Sequence, residues 1–495
     1  MESTNQLKRK YGLLMTFAMV TGTVIGSGIF FRNETILATV GNDMWMGVMA
    51  WVIGGLITLN IAYVFATLAV RNPDQAGLVG LSEFLVGRKY GYAFGWFLAT
   101  IFFPSLTGVL AWVSARFTVV LFGWDADPSF SGYTYMIALF YLVAVYAMTV
   151  LSPKLAARFH ISCAVLKVVP LILMGIVGTI MGLLNGTTLE NMREVSTYVP
   201  ATVGYLASNP FFVALVATIF AYIGWEAVLN IASEVKNPKR NLPIALVGGM
   251  LVIIAIYVSY FVGIFSSAPL EQIAVPGSGV LAAFEARFTE FAGTALFVFV
   301  IISCLGTLNG LMIGGQKTFY ALATKKKGFN PDLFSQVDRV TNMPNNSATL
   351  FLLAVAAWMV IFGANSAGWY GDFFLTISGE RVGTFDIAGL VPITLNSFLI
   401  PVFIMTMVKQ SGMHWFNRFV APATATLGAC FLIYAVFYNQ AGAAVFYLGF
   451  FAATMAIGFL YYNHKKAKGG YDDNGNAELA HELDGALAED ALPKK

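Results

Sequence analysis

The sequence predicts an all-α polytopic membrane protein with twelve transmembrane helices, two of them interrupted in mid-membrane. Three observations predict it. The 495 residues are 58% hydrophobic and only 11% charged, with a mean hydropathy of +0.72. Apolar runs of membrane-crossing length recur along the whole chain. Glycines cluster inside two of those runs, where an unbroken helix would disfavour them.

The spans read in order as 13–40, 44–70, 90–122, 133–151, 161–184, 210–232, 243–265, 288–323, 348–362, 387–407, 420–437 and 443–462. Lys8-Arg9-Lys10 ahead of the first run imitates a signal peptide, but the run is too long and lacks a small-residue cleavage site. Basic residues set the orientation. One face collects Lys8 to Lys10, Arg71, Arg88, Lys89, Lys154, Arg158, Lys236, Lys239, Arg240, Lys325 to Lys327, Arg339, Lys409, Arg418, Lys465, Lys466 and Lys468. The other holds Arg32, Arg193, Arg287 and Arg381. The positive-inside rule makes the first face cytoplasmic, with both termini inside.

The first span carries Thr21-Gly22-Thr23-Val24-Ile25-Gly26-Ser27-Gly28-Ile29-Phe30. The pattern reads as a helix that stops near Ile25 and restarts near Gly28, although Gly22 and Gly26 also fit a small-xxx-small packing face. In the broken form, the N–H groups of Ser27, Gly28 and Ile29 make a carboxylate site at a helix N-terminus. The sixth span reads Phe220-Ala221-Tyr222-Ile223-Gly224-Trp225-Glu226, which places a glycine and a carboxylate in mid-membrane. A charge at that depth is a functional-site candidate. The two interruptions lie five spans apart, so a duplicated unit of that length would run through the membrane in the opposite sense. Matching interruptions in such units point to a transporter site. The carbonyls of Thr23, Val24, Phe220 and Ile223 would accept from an ammonium group, and the pair of sites fits an α-amino acid. Tyr222, Trp225, Glu226 and Ser303 are candidate pocket walls.

Other function classes find little support. His160, His414, His464 and His481 are read near the basic face or in the tail, and no nucleophile–base or H-E-x-x-H pattern exists. Cys163, Cys304 and Cys430 sit in apolar runs without metal spacing. Gly22 to Gly28 lacks the lysine of a phosphate loop. No enzyme activity, cofactor, metal, nucleotide or nucleic-acid partner is expected; the partners are an amino acid and the lipid bilayer. A transport-dead amino-acid sensor is the competing class. The 268–284 stretch lies across the outer vestibule or is a plain surface loop, and 185–209 has room for a short helix.

At these residues the chain resembles permeases of the amino acid–polyamine–organocation superfamily. The resemblance rests on Gly22 to Phe30, on Phe220 to Glu226, on Glu234-Val235-Lys236-Asn237-Pro238-Lys239-Arg240-Asn241-Leu242-Pro243, and on Gly306 to Gly310 with Phe319-Tyr320-Ala321. It implies a LeuT-like fold: a five-plus-five inverted repeat with discontinuous helices 1 and 6, two added helices, and alternating access around a midplane amino-acid site. The implied division is 1–12 cytoplasmic N-terminus, 13–184 first repeat, 185–209 extracellular connection, 210–408 second repeat, 409–463 the last two helices and 464–495 a polar cytoplasmic tail.

Phe220-Ala221-Tyr222 with Gly224-Trp225 is similar to the L-amino-acid-transporter branch, as is Lys167 in Leu166-Lys167-Val168-Val169-Pro170. By that resemblance the Lys167 ammonium replaces a sodium ion found near this place in related folds; a snorkelling lysine is the alternative. Glu226 departs from the branch, which usually has a neutral residue there. It caps the restarted helix, pairs with a cationic substrate or carries a proton. Gln316-Lys317 also departs and reads as a basic anchor at the inner end of its span. The resemblance implies sodium-independent exchange of neutral amino acids across the cell membrane. The alternatives are a basic amino acid or amine antiporter and a proton-coupled symporter.

Overall fold

The computed structural model describes residues 9–72, 77–125, 131–195, 210–275, 279–366, 386–439 and 441–467. Arg381, Lys468, most of the tail and residues 196–209 of the long connection lie outside them. Among the described residues nine helices are long and apolar enough to cross a membrane. They are Met44–Arg71, Arg88–Phe122, Gly132–Leu151, Pro153–Leu184, Pro210–Asn230, Pro238–Phe265, Phe291–Ala323, Val391–Lys409 and Phe416–Phe437. Three shorter apolar helices, Leu13–Val24, Asn345–Ile361 and Tyr447–Leu460, occupy the first, ninth and twelfth expected spans. The chain is therefore a multi-pass helical membrane protein, and the spans are numbered below in that order.

Two boundaries moved with consequences. The fifth span begins at Pro153 rather than near Ile161, because Lys154 and Arg158 ride on its first turns. Lys167 therefore sits roughly 21 Å of helix in from its start. His160, read as lying near the basic face, is fully buried within the same helix. The eighth span is interrupted at Gln316-Lys317 between Glu290–Gly315 and Thr318–Ala323.

Both expected breaks are present. The first span is two helices, Leu13–Val24 and Gly28–Thr39, separated by Ile25-Gly26-Ser27. The sixth is Pro210–Tyr222 and Glu226–Asn230, separated by Ile223-Gly224-Trp225. These two spans sit inside the bundle. The first half of span 1 packs on spans 5 and 8, its second half packs on the first half of span 6, and span 3 packs along span 8. Beside the sixth-span break Trp51 meets Tyr222 and Tyr257 edge to face, and the two tyrosine rings are tilted against each other, with ring centroids 5.1 to 5.8 Å apart. Such contacts add to what burial of the rings already contributes.

The connections close over the two ends. Within 185–209, Thr187–Val195 is helical, and Asn191 Nδ2 donates to the carbonyls of Phe265 (2.7 Å) and Ala268 (3.0 Å). In the 268–284 stretch, Leu270–Ile273 and Gly279–Arg287 are short helices that bury Leu270, Ile273, Val280, Ala283 and Phe284. The Val280 amide donates to buried Glu34 of span 1 at 2.7 Å. The segment is thus docked on the bundle rather than hanging as a plain loop.

At the opposite end the N-terminal strand-like segment is laced to the turn after span 6. The amides of Lys10 and Tyr11 donate to the Glu234 carbonyl (2.8 and 3.0 Å), and Lys236 N donates to the Tyr11 carbonyl (2.8 Å). The fully buried Glu234 carboxylate pairs with Lys10 at 2.8 Å and with buried Lys317. Lys317, read as a basic anchor at the inner end of its span, is therefore the buried partner of an internal charge. Asn237 takes the left-handed conformation (φ 47°) and Pro238 opens the next helix, so E-x-x-N-P encodes a clasp, a turn and a helix start.

Candidate functional site

The two breaks lie side by side. Gly224 holds φ at +124°, a conformation side-chain-bearing residues rarely adopt, and a β-carbon there would lie 2.8 Å from the Thr23 carbonyl oxygen. Only glycine lets the two interrupted backbones approach so closely. A β-carbon on Gly28 would meet Ala221 Cα and Cβ at 3.0 Å, so Gly28 also sets the contact between the two half-helices.

Between the breaks is a cavity of about 30 Å³ lined by Thr23, Val24, Gly26, Ser27, Gly28, Phe220, Ala221, Ile223 and Gly224. Leu106 and Leu110 of span 3 and Thr307 and Leu311 of span 8 complete it. That volume is room for one or two waters, so the walls are drawn together in this conformation. Arg32 lies over the Phe220 ring, 5.4 Å from its centroid, on the far side of the cavity from the N-terminal segment.

The cavity has two polar ends. The N–H groups that open Gly28–Thr39 have no carbonyl four residues earlier in a helix, and the dipole makes that end electropositive. Carbonyls ending Leu13–Val24 and Pro210–Tyr222 supply the electronegative end. Part of their capacity is engaged. The Tyr257 hydroxyl reaches Val24 O (3.3 Å) and Ala221 O (3.0 Å), and Ile223 N reaches Phe220 O at 3.4 Å. Each carbonyl keeps a second lone pair.

Lys167 is fully buried beside the first break. Its ammonium, with three N–H donors, lies within hydrogen-bonding distance of Gly22 O (2.7 Å), Ile25 O (2.5 Å), Ser303 O (3.0 Å) and Thr307 Oγ1 (3.1 Å). This ties span 5 to spans 1 and 8, and a snorkelling lysine does not fit it. Ser303 donates to Ile25 O (3.3 Å) and Gly26 O (3.2 Å), so it supports the break from behind. Two turns nearer the start of span 5, His160 bridges Ala18 O (2.9 Å) and Gly306 O (3.1 Å) through its two ring nitrogens.

Of the candidate residues, the structure gathers Thr23, Val24, Ser27, Gly28, Phe220, Ile223 and Gly224 around the cavity. Ile29 is buried one residue past the lining, and its carbonyl accepts from Asn33 Nδ2 at 2.6 Å. Tyr222, Trp225 and Glu226 point to a different cavity of about 20 Å³, with Thr58 and Asn396. Ile223 lines both. The Tyr222 hydroxyl donates to Trp51 O at 2.8 Å, and Trp225 packs on Phe65. Glu226 is buried, and its carboxylate accepts from the Gly224 amide at 2.8 Å. It therefore caps the backbone of the break. Leu106, Leu110, Leu311 and Tyr257 were not picked out from the sequence; ordinary apolar residues and a tyrosine inside apolar runs carry no local signal. Thr307 lay within the Gly306 to Gly310 stretch.

A family model described as amino acid permease matches residues 11–461. The serine/threonine exchanger SteT of Bacillus subtilis (strain 168) is 28% identical over 324 residues, covering 65% of this chain and 70% of that protein. The cystine/glutamate transporter of Homo sapiens is 24% identical over 333 residues, 67% of this chain, and the match spans 64% of that transporter's length. Among solved structures, MhsT in complex with L-phenylalanine matches with a TM-score of 0.59 at 16% identity, over 88% of this chain and 99% of that one. At that identity the likeness is one of fold: the LeuT-like arrangement with broken helices 1 and 6.

Proposed function

The chain belongs to the amino acid permease family, and from that premise we propose that it exchanges neutral amino acids across the cell membrane without sodium. The observation that carries the reading is the lining of the cavity at the two breaks. Its side chains are apolar (Leu106, Leu110, Phe220, Leu311) or hydroxylic (Thr23, Ser27, Thr307), with no ionisable group. A charged substrate side chain would lose its water there without a partner, at a cost of several kcal/mol. A neutral one would not.

In this reading the amino acid's carboxylate sits on the amides of residues 27–29 and its ammonium on carbonyls such as Thr23 O. The backbone is recognised by backbone, and the side chain meets spans 3 and 8. Glu226 engages the Gly224 amide on the other side of the break, which favours a cap over a counter-ion for cationic substrates. The Lys167 ammonium fills the place among the first-span carbonyls that a monovalent cation would take, which supports sodium independence. The serine/threonine exchanger among the relatives supports antiport. Lys10, Arg71, Lys239 and Arg418 share one face, which the positive-inside rule assigns to the cytoplasm.

Counterflow in proteoliposomes tests this. Vesicles loaded with serine, leucine or phenylalanine should take up the same labelled amino acid in choline medium, and vesicles loaded with lysine or arginine should not exchange. A protein that exchanges basic but no neutral amino acids overturns the reading.

A further inference from the structure

The largest cavity described here is not the one at the breaks. A cleft of about 460 Å³ opens on the N-terminal face between the end of span 2, the start of span 7 and the turn between spans 10 and 11. Arg71, Lys239 and His414 line it, and no acidic residue does. Among the described residues no carboxylate forms an ion pair with any of these three side chains. Arg71 is fixed in place by a 2.9 Å hydrogen bond to Gly412 O. His414 accepts from the Phe416 amide through Nδ1 (3.4 Å), which leaves Nε2 as the protonated nitrogen of the neutral ring and so a donor. Clustered, unneutralised donors around a cleft of this size call for an anion.

The surroundings identify what carries that anion. From Arg71 the wall runs up span 2 through Val70 and Ala66 to Tyr63, roughly 12 Å of helix, and Val247 and Pro243 face it from span 7. The basic groups are therefore at one end, and a largely apolar wall, broken by Thr67 and by the Tyr63 hydroxyl bonded to Asn417 Oδ1 at 2.7 Å, continues toward the membrane interior. Beside the cleft, Trp415, Phe416 and Phe419 are exposed by 62%, 42% and 47%. Exposed aromatics at a span end mark the membrane–water boundary. Basic pockets between transmembrane helices on the cytoplasmic side suit anionic lipid headgroups. We propose that this cleft binds the phosphate of an anionic phospholipid of the inner leaflet, with Arg71, Lys239 and His414 on the headgroup and the span 2 and span 7 wall along the acyl chains.

A soluble phosphate has the same head chemistry but no use for the apolar wall, and the experiment separates the two. The full-length protein is placed in nanodiscs of phosphatidylcholine alone or with phosphatidylglycerol. Thermal stability is recorded, and retained lipid is counted by native mass spectrometry. Wild type should retain phosphatidylglycerol over phosphatidylcholine and melt higher with it. Lys239→Gln should weaken that retention about fivefold, the ~1 kcal/mol of one cation at a membrane surface, and Lys239→Gln with His414→Gln should weaken it further. Lys239→Arg should keep it, which separates lost charge from lost folding. Equal retention of both lipids by wild type, or undiminished phosphatidylglycerol retention in the double variant, overturns the proposal. So does millimolar inorganic phosphate raising the melting temperature in phosphatidylcholine discs as much as phosphatidylglycerol does.

Discussion

Replacing Lys167 with methionine keeps much of the apolar stem and removes the ammonium. Four oxygens then lose a charged donor: Gly22 O, Ile25 O, Ser303 O and Thr307 Oγ1. Ser303 O lies inside a helix and keeps its helical partner. The carbonyls of Gly22 and Ile25 border the first break and have no helical amide to turn to. The Thr307 hydroxyl reaches both, at 3.3 and 3.0 Å, but supplies one proton. A buried acceptor left unsatisfied costs about 1–3 kcal/mol. Relief from burying the ammonium offsets part of the loss in overall stability. It does nothing to hold the break in shape. A penalty of about 2 kcal/mol on the competent geometry lowers its population roughly 30-fold. Lys167→Met should therefore cut uptake by about that factor, with a smaller effect on the melting temperature. The assay is proteoliposome uptake in sodium and in choline medium, alongside thermal unfolding. Wild-type uptake by Lys167→Met, or wild-type protein that stops working when choline replaces sodium, would refute the reasoning.

Gly224→Ala puts a β-carbon 2.8 Å from Thr23 O at a positive φ, and strain of this kind costs about 1–3 kcal/mol; uptake should be lost and the melting temperature should fall, and an unaltered variant would mean the breaks do not touch. Glu226→Gln keeps an oxygen for the Gly224 amide, so substrate selectivity and pH dependence of uptake should survive with at most a fall in stability of about 0.5–2 kcal/mol, as for a lost cap. A flattened pH profile in counterflow would make it a proton carrier instead. Glu83, outside the spans, has its pKa raised by burial, but the hydrogen bonds from Lys325 and Lys327 (2.7 Å each) outweigh this and hold it below the ordinary carboxylate value. A depressed folded-state pKa gives stability that is present above the unfolded value of about 4.3 and is lost as pH falls through the folded one. Acid melting curves of wild type should drop in that window, and Glu83→Gln should remove that part of the drop.

The breaks were legible because they are written in residues that a membrane helix avoids. Three glycines and a serine between Gly22 and Gly28, and Gly224 next to Glu226, each contradict an unbroken span, and each contradiction marks a real interruption. Lys167 was legible through a resemblance, the Leu166 to Pro170 pattern of one family branch, and not from its own setting. Its depth was misjudged because the helix start was placed after the basic residues Lys154 and Arg158, which in fact belong to the first turns of a longer helix. The direction in which a side chain points was not legible. Residues 220 to 226 are adjacent in sequence, yet Phe220 and Gly224 face one cavity while Tyr222, Trp225 and Glu226 face another. Once the helix unwinds, its 3.6-residue period no longer predicts a face. The walls from spans 3 and 8 were beyond reach because leucines in a buried span look alike whichever neighbour they meet.

Two interrupted helices at one depth create a problem that either alone would not. Each leaves carbonyls unpaired where no water or lipid can serve them. Here side chains of spans 5, 7 and 8 meet orphan carbonyls. Lys167 of span 5 and Thr307 of span 8 take the carbonyls of Gly22 and Ile25. Tyr257 of span 7 places one hydroxyl between Val24 O of the first break and Ala221 O of the sixth. Glu226 turns back on the Gly224 amide. Lys167, Thr307 and Tyr257 stand on helical stretches that are continuous around them, Pro153–Leu184, Glu290–Gly315 and Gly249–Phe265. Thr23 O, close against Gly224, is the first-break carbonyl that no such side chain reaches among the contacts described here, and Thr23 lines the cavity. In the proposed reading, the frame of such a site is satisfied without a ligand, and the amino acid's own backbone meets the few backbone groups left over.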